Sequence, residues 1–145
     1  MLPPGNDDEQ GFSQQLGRLD RPTKVCPTVV IADDQVFMLQ TVMSVLEGVF
    51  NVVGIAEDGV RAVELVHELA PDIVILDISM PGMNGIEAAL LLKNEGCPAK
   101  VVFLTAHEDR DFVDAALCAG AVAYVVKRRL ATDLIPGLGK ALTAL

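Results

Sequence analysis

Ile73-Val74-Ile75-Leu76-Asp77-Ile78-Ser79-Met80-Pro81-Gly82-Met83-Asn84-Gly85 decides the fold of this chain. Four consecutive aliphatic residues followed by turn-forming ones predict a strand buried on both faces of a parallel sheet. Asp77 then stands at the carboxyl end of that strand. In open α/β sheets this edge is where ligands and chemistry gather. Val29-Val30-Ile31-Ala32 has the same character and runs directly into Asp33-Asp34. If the two strands are neighbours, three carboxylates converge at one mouth.

Clustered carboxylates repel and raise one another's pKa, so such a mouth calls for a cation. An all-oxygen site with an open side suits Mg2+, which keeps waters and takes one or two carboxylates and a phosphate oxygen. For Asp33 or Asp34 alone there is a plainer reading, since acidic residues at strand ends also cap the helix that follows. Two further strands supply the rest of a site. Val101-Val102-Phe103-Leu104 ends in Thr105, and Ala121-Val122-Ala123-Tyr124-Val125-Val126 ends in Lys127. Lysine offers a compact positive charge to phosphate oxygens, and the threonine hydroxyl offers a hydrogen bond. Asp77 is left as the nucleophile, because a carboxylate can form an acyl phosphate.

Strand and helix patterns alternate five times from Thr28 onward, which predicts a parallel sheet wrapped by helices. The first helix is expected over about 35–47, with Val36, Leu39, Val42, Met43 and Leu46 inward. The second follows Asp58-Gly59 and carries Ala62, Val63, Val66 and Leu69 inward until Pro71. The third starts at Asn84 and buries Ile86, Ala89 and Leu90. The fourth spans about 109–119 and includes Cys118 on an apolar face. The fifth begins near Thr132. There Pro136, Gly137 and Gly139 oppose a firm helix, each glycine by about 1 kcal/mol relative to alanine. Residues 1–24, rich in Gly, Pro, Gln and Asp, form an expected flexible extension, with a short helix over 13–19, and 25–145 form one domain.

The chain has 145 residues, 51% of them hydrophobic, and a net charge of −9. No apolar stretch reaches the roughly 18 residues of a membrane span. The first ten residues lack the basic start and apolar segment of a secretory leader. Three cysteines without metal-ligand spacing point to reduced thiols and a cytoplasmic setting. An acidic domain does not bind nucleic acid by phosphate neutralisation, and no membrane contact is expected.

The set Asp33-Asp34, Asp77, Thr105 and Lys127, with the loop Met80-Pro81-Gly82-Met83-Asn84-Gly85, resembles the receiver domain of two-component response regulators. The similarity runs from about Thr28 to the end. Gly120-Ala121 resembles the NarL/FixJ branch, which usually carries a LuxR-type DNA-binding domain. The resemblance implies a CheY-like, flavodoxin-like doubly wound α/β fold with five parallel strands in the order 2-1-3-4-5 and five helices. It implies Asp77 as phosphoacceptor and Mg2+ held by Asp33, Asp34, Asp77 and the Ser79 backbone carbonyl. Thr105 and Lys127 would bind the phosphoryl group, and Thr105 and Tyr124 would form a switch pair. His107 occupies a position that tunes dephosphorylation in the family, although a solvated loop histidine is the commoner case. A sensor histidine kinase is the implied partner. The implied output is an α4-β5-α5 surface that switches and controls transcription through a domain absent from this chain; a homodimer on phosphorylation is expected through the surface bearing α5, although the resemblance also permits a face built from helices one and five. No enzymatic activity beyond self-phosphorylation and self-dephosphorylation is expected.

Two departures from the family stand out. Arg128 follows Lys127 where proline and a cis peptide are common. A cis bond without proline costs about 2.5–4 kcal/mol, so trans is expected. That loop carries the basic run Lys127-Arg128-Arg129, a candidate contact for an acidic partner; the second departure is Pro136-Gly137-Leu138-Gly139 inside the last helix. Two competing readings are a stand-alone or degenerate receiver acting as an interaction module, and a phosphatase of the haloacid dehalogenase type. The second needs an aspartate two residues beyond Asp77, where Ser79 stands.

Overall fold

The computed structural model describes residues 26–106 and 110–143. The extension expected over 1–24, the helix over 13–19 and His107 lie outside the described residues. Five strands alternate with five helices: β1 Thr28–Ala32, α1 Val36–Leu46, β2 Asn51–Ala56, α2 Gly59–Leu69, β3 Ile73–Asp77, α3 Gly85–Asn94, β4 Lys100–Thr105, α4 Arg110–Cys118, β5 Ala123–Val126, and α5 Leu130–Thr143 after a 3-10 turn at Lys127–Arg129. All pairings are parallel, in the order β2-β1-β3-β4-β5. The expected doubly wound fold is the observed one. No helix among the described residues is long and apolar enough to cross a membrane.

The central strand β3 is buried at every position, as its unbroken aliphatic run requires. Alternate side chains leave the sheet on opposite faces and build two interiors. Val74, Leu76, Val101 and Phe103 pack with Ala62, Val66, Ala88, Leu92, Ala116 and others under α2, α3 and α4. Ile73, Ile75, Val102, Leu104 and Val125 pack with Leu39, Val42, Leu46, Leu134 and Leu138 under α1 and α5.

Helix starts follow local chemistry. Asp58 caps α2 by accepting from the Arg61 N–H at 2.8 Å. Asn84 and Glu87 form a reciprocal capping box at α3, both bonds 2.9 Å. At the opposite edge, Asp72 Oδ2 accepts from the N–H and hydroxyl of Thr28, tying the start of β1 to that of β3.

Several inward faces differ from expectation. Val36 and Met43 on α1, Leu69 on α2 and Leu90 on α3 are exposed, while Leu65, Ala88 and Leu92 are buried. Leu90, Leu91 and Leu92 are consecutive, so hydropathy alone does not phase α3. Contact with α2 selects the Ala88–Leu92 side. Cys118 is exposed rather than core, because Ala116 in α4 and Ala119 just after it take the inward positions. Helix α5 is continuous through Pro136 and starts earlier than expected. Leu130, Leu134, Leu138 and Ala141 are buried against the sheet, and Gly137 permits the approach, since a Cβ there would stand 3.1 Å from Val125 Cγ2. Tertiary packing overrides propensity here.

Candidate functional site

The register brings the expected residues to one mouth. Ala32 pairs with Leu76 and Asp77 with Leu104, so Asp33 and Asp77 occupy adjacent ends of neighbouring strands. The Asp33 N–H donates to the Ala56 carbonyl at 3.0 Å, and the Ile78 N–H to the Leu104 carbonyl at 3.3 Å. Asp33 and Asp77 are buried, and Asp34 is exposed at the rim. One carboxylate oxygen from each of Asp33, Asp34 and Asp77 lies within 4.8 Å of the others.

Lys127 closes the opposite side. Its Nζ is 3.0 Å from Asp33 Oδ2 and 3.3 Å from Asp77 Oδ2, with the lysine side chain itself largely buried. Asp33 Oδ2 nevertheless accepts no aligned hydrogen bond. The ammonium is a Coulombic neighbour of that oxygen rather than a directed donor. The Ser79 N–H donates to Asp77 Oδ1 at 3.3 Å.

Burial pushes the Asp77 carboxyl up to about 6, with the Asp33 charge adding to the rise. Lys127, by charge and hydrogen bond, and the Ser79 N–H pull the other way without cancelling it. A carboxyl raised by burial and by a neighbouring charge, an unpartnered carboxylate oxygen and an all-oxygen donor set suit a small hard cation such as Mg2+.

Thr105 ends β4 and is buried. It pairs with Val126, and Phe103 pairs with Tyr124, so Thr105 and Tyr124 are diagonal neighbours on one face of the sheet. Leu104 and Val125 point to the α1–α5 side, which places Thr105 and Tyr124 on the α4 side. Tyr124 is 37% exposed. The described backbone contains no cis peptide, so Lys127 and Arg128 are joined in trans and the chain turns directly into the 3-10 turn before α5.

One contributor was not singled out from the sequence. Gln35 accepts from Lys127 Nζ through Oε1 at 3.4 Å, and its N–H donates to Asp33 Oδ1 at 2.9 Å. Its place directly after the aspartate pair is the only signal that could have pointed to it.

A parallel five-stranded sheet in this order, with an acidic mouth faced by a lysine, is the architecture of a CheY-like receiver. A family model described as response regulator receiver domain matches residues 29–136. The chain belongs to that family. It is 40% identical over 120 residues to the transcriptional regulatory protein PdtaR of Mycobacterium tuberculosis, covering 82% of this chain and 58% of that protein. It is 34% identical over 116 residues to the chemotaxis protein CheY of Halobacterium salinarum, covering 80% of this chain and 97% of that one. The chain thus spans little more than half of its regulator relative and nearly all of its chemotaxis relative. Among solved structures, the signal receiver domain of the response regulator NarL from M. tuberculosis superposes with a TM-score of 0.78 at 32% identity, covering 83% of this chain and all of that one.

Proposed function

We propose that this receiver takes a phosphoryl group from a sensor histidine kinase onto Asp77. The observation that supports this most is the convergence of Asp33, Asp34 and Asp77 opposite Lys127 at the carboxyl edge of the sheet. An Asp77 oxygen attacks phosphorus, the new P–O bond forms as the P–N bond to the donor histidine breaks, and the imidazole nitrogen recovers its electron pair and takes a proton. Asp33, Asp34, Asp77 and the Ser79 carbonyl would hold Mg2+. Bound there, the ion would neutralise charge on the transferring oxygens. Lys127 offers its ammonium, and Thr105 its hydroxyl, to the phosphoryl oxygens. Pull on Thr105 would draw Tyr124 inward and reshape the α4-β5-α5 surface.

The output in this proposal is transcription control through a further domain, as the names of PdtaR and NarL suggest for those proteins. A Borrelia burgdorferi CheY, 28% identical with a TM-score of 0.76, was solved in a complex described as CheX-CheY-BeF3-Mg+2. That precedent supports the metal and phosphoryl assignments. The proposed chemistry is confined to self-phosphorylation and self-dephosphorylation, in a cytoplasmic setting. The test is intact-mass measurement with Mg2+ and acetyl phosphate. The wild type gains one phosphoryl group and Asp77→Asn gains none; equal labelling of the variant would remove Asp77 from this role.

A further inference from the structure

We infer that Gln35 is a positioning residue for Lys127, holding the ammonium at the mouth through a neutral acceptor; this rests on the receiver function proposed above. Gln35 occupies the N-cap of α1, yet its side chain does not cap the helix. Asp58 and Asn84 do so at α2 and α3. The Gln35 carbonyl accepts from the N–H groups of Met38 and Leu39, and its own N–H is taken by Asp33 Oδ1. The backbone is therefore engaged in the turn, and the side chain spans the mouth to a residue 92 positions away. Lysine carries donors only, so the amide must present its oxygen.

Three oxygens surround the ammonium: Asp33 Oδ2 and Asp77 Oδ2 as ion-pair neighbours, and Gln35 Oε1 as a hydrogen-bond acceptor. The two carboxylates are the groups that must turn toward a cation and a phosphoryl group. Gln35 is not among them. When the carboxylates are occupied elsewhere, the amide oxygen is the contact that keeps Lys127 from swinging into solvent. A carboxylate at this position would hold the ammonium more tightly and compete with the phosphoryl oxygens. An amide holds it without that competition, because neutral acceptors bind charged donors more weakly than anions do.

Two measurements test this. The first needs neither metal nor phosphodonor: hydrogen exchange of the Lys127 ammonium, followed by 15N NMR of the metal-free protein. Loss of one hydrogen bond at a partly wet site should speed exchange about fivefold in Gln35→Leu, while Gln35→Glu exchanges no faster than wild type. Unchanged exchange in Gln35→Leu would overturn the inference. The second is the rate of Asp77 phosphorylation at saturating Mg2+ and acetyl phosphate. Gln35→Leu should be about fivefold slower with Mg2+ affinity unchanged, and should add nothing in a Lys127→Met background. An equal slowing in both backgrounds means that the variant acts on α1 or the metal and overturns the inference. Should the wild type take up no phosphoryl group, the proposed function fails, and the exchange experiment still decides the Gln35–Lys127 contact.

Discussion

Gly85 packs its Cα directly against the backbone carbonyl of Asp77, and its N–H donates to the Ile78 carbonyl at 3.0 Å. A methyl group at residue 85 would collide with that carbonyl, which is backbone and cannot rotate away. The start of α3 and the end of β3 are thereby locked together behind the candidate phosphoacceptor. Gly85→Ala should destabilise the domain by about 1–3 kcal/mol, as overpacking against rigid backbone does, and should slow Asp77 phosphorylation. Denaturant unfolding and intact-mass kinetics measure the two effects. A variant with wild-type stability would show that the loop yields freely.

Metal binding should stabilise the fold. Mg2+ at about 100 times its Kd adds about 2.7 kcal/mol if it binds only the native state. Asp34 is exposed at the rim and contributes no packing, so Asp34→Ala should retain the metal-free melting temperature and lose the Mg2+-dependent rise. Persistence of the full rise in this variant would dismiss Asp34 as a ligand.

The raised Asp77 carboxyl makes metal-free stability depend on pH. A carboxyl whose native pKa exceeds its unfolded value binds protons more readily in the native state. Its contribution is fully present below about 3.8 and is lost as pH rises through about 6. In chelator, the wild type should therefore lose on the order of 3 kcal/mol relative to Asp77→Asn across that window. Parallel thermal melts of the two proteins give the difference; a flat difference from pH 4 to 7 contradicts the shift. With Mg2+ present, apparent metal affinity should fall below pH 6, where protons compete for the same oxygen.

Phosphorylation should promote self-association. The unphosphorylated domain is expected to be a monomer or weak dimer, and the phosphorylated one a tighter dimer through the surface bearing α5. Sedimentation with and without beryllofluoride reads this directly. An unchanged mass over a wide concentration range would assign the readout to a different protein.

Much of the site is legible in residue order because the burial of β3 is extreme. Ile73 to Leu76 can be nothing but interior, and turn residues follow at once, so residue order alone places Asp77 at an edge. Thr105 and Lys127 follow by the same logic. Strand order is a different matter: parallel strands carry no mark of their neighbours, and the order had to come from resemblance. Helix phase failed where leucines are consecutive, as at Leu90 to Leu92. Propensity understates α5 because it counts Gly137 only as a cost, whereas Gly137 acts as clearance for Val125. The Gln35–Lys127 contact is not legible in residue order, because a contact across 92 residues has no local signature.

The two-sided pleat gives neighbouring positions different addressees. Thr105 and Tyr124 face α4, while Leu104 and Val125, one residue away on the same strands, face α1 and α5. Substitutions at 104 or 125 can therefore retune the α5 surface while leaving the side chains around the hydroxyl and ring untouched. If Thr105 and Tyr124 act as proposed, the two faces of these strands can vary separately, one meeting the hydroxyl and ring and the other carrying α5.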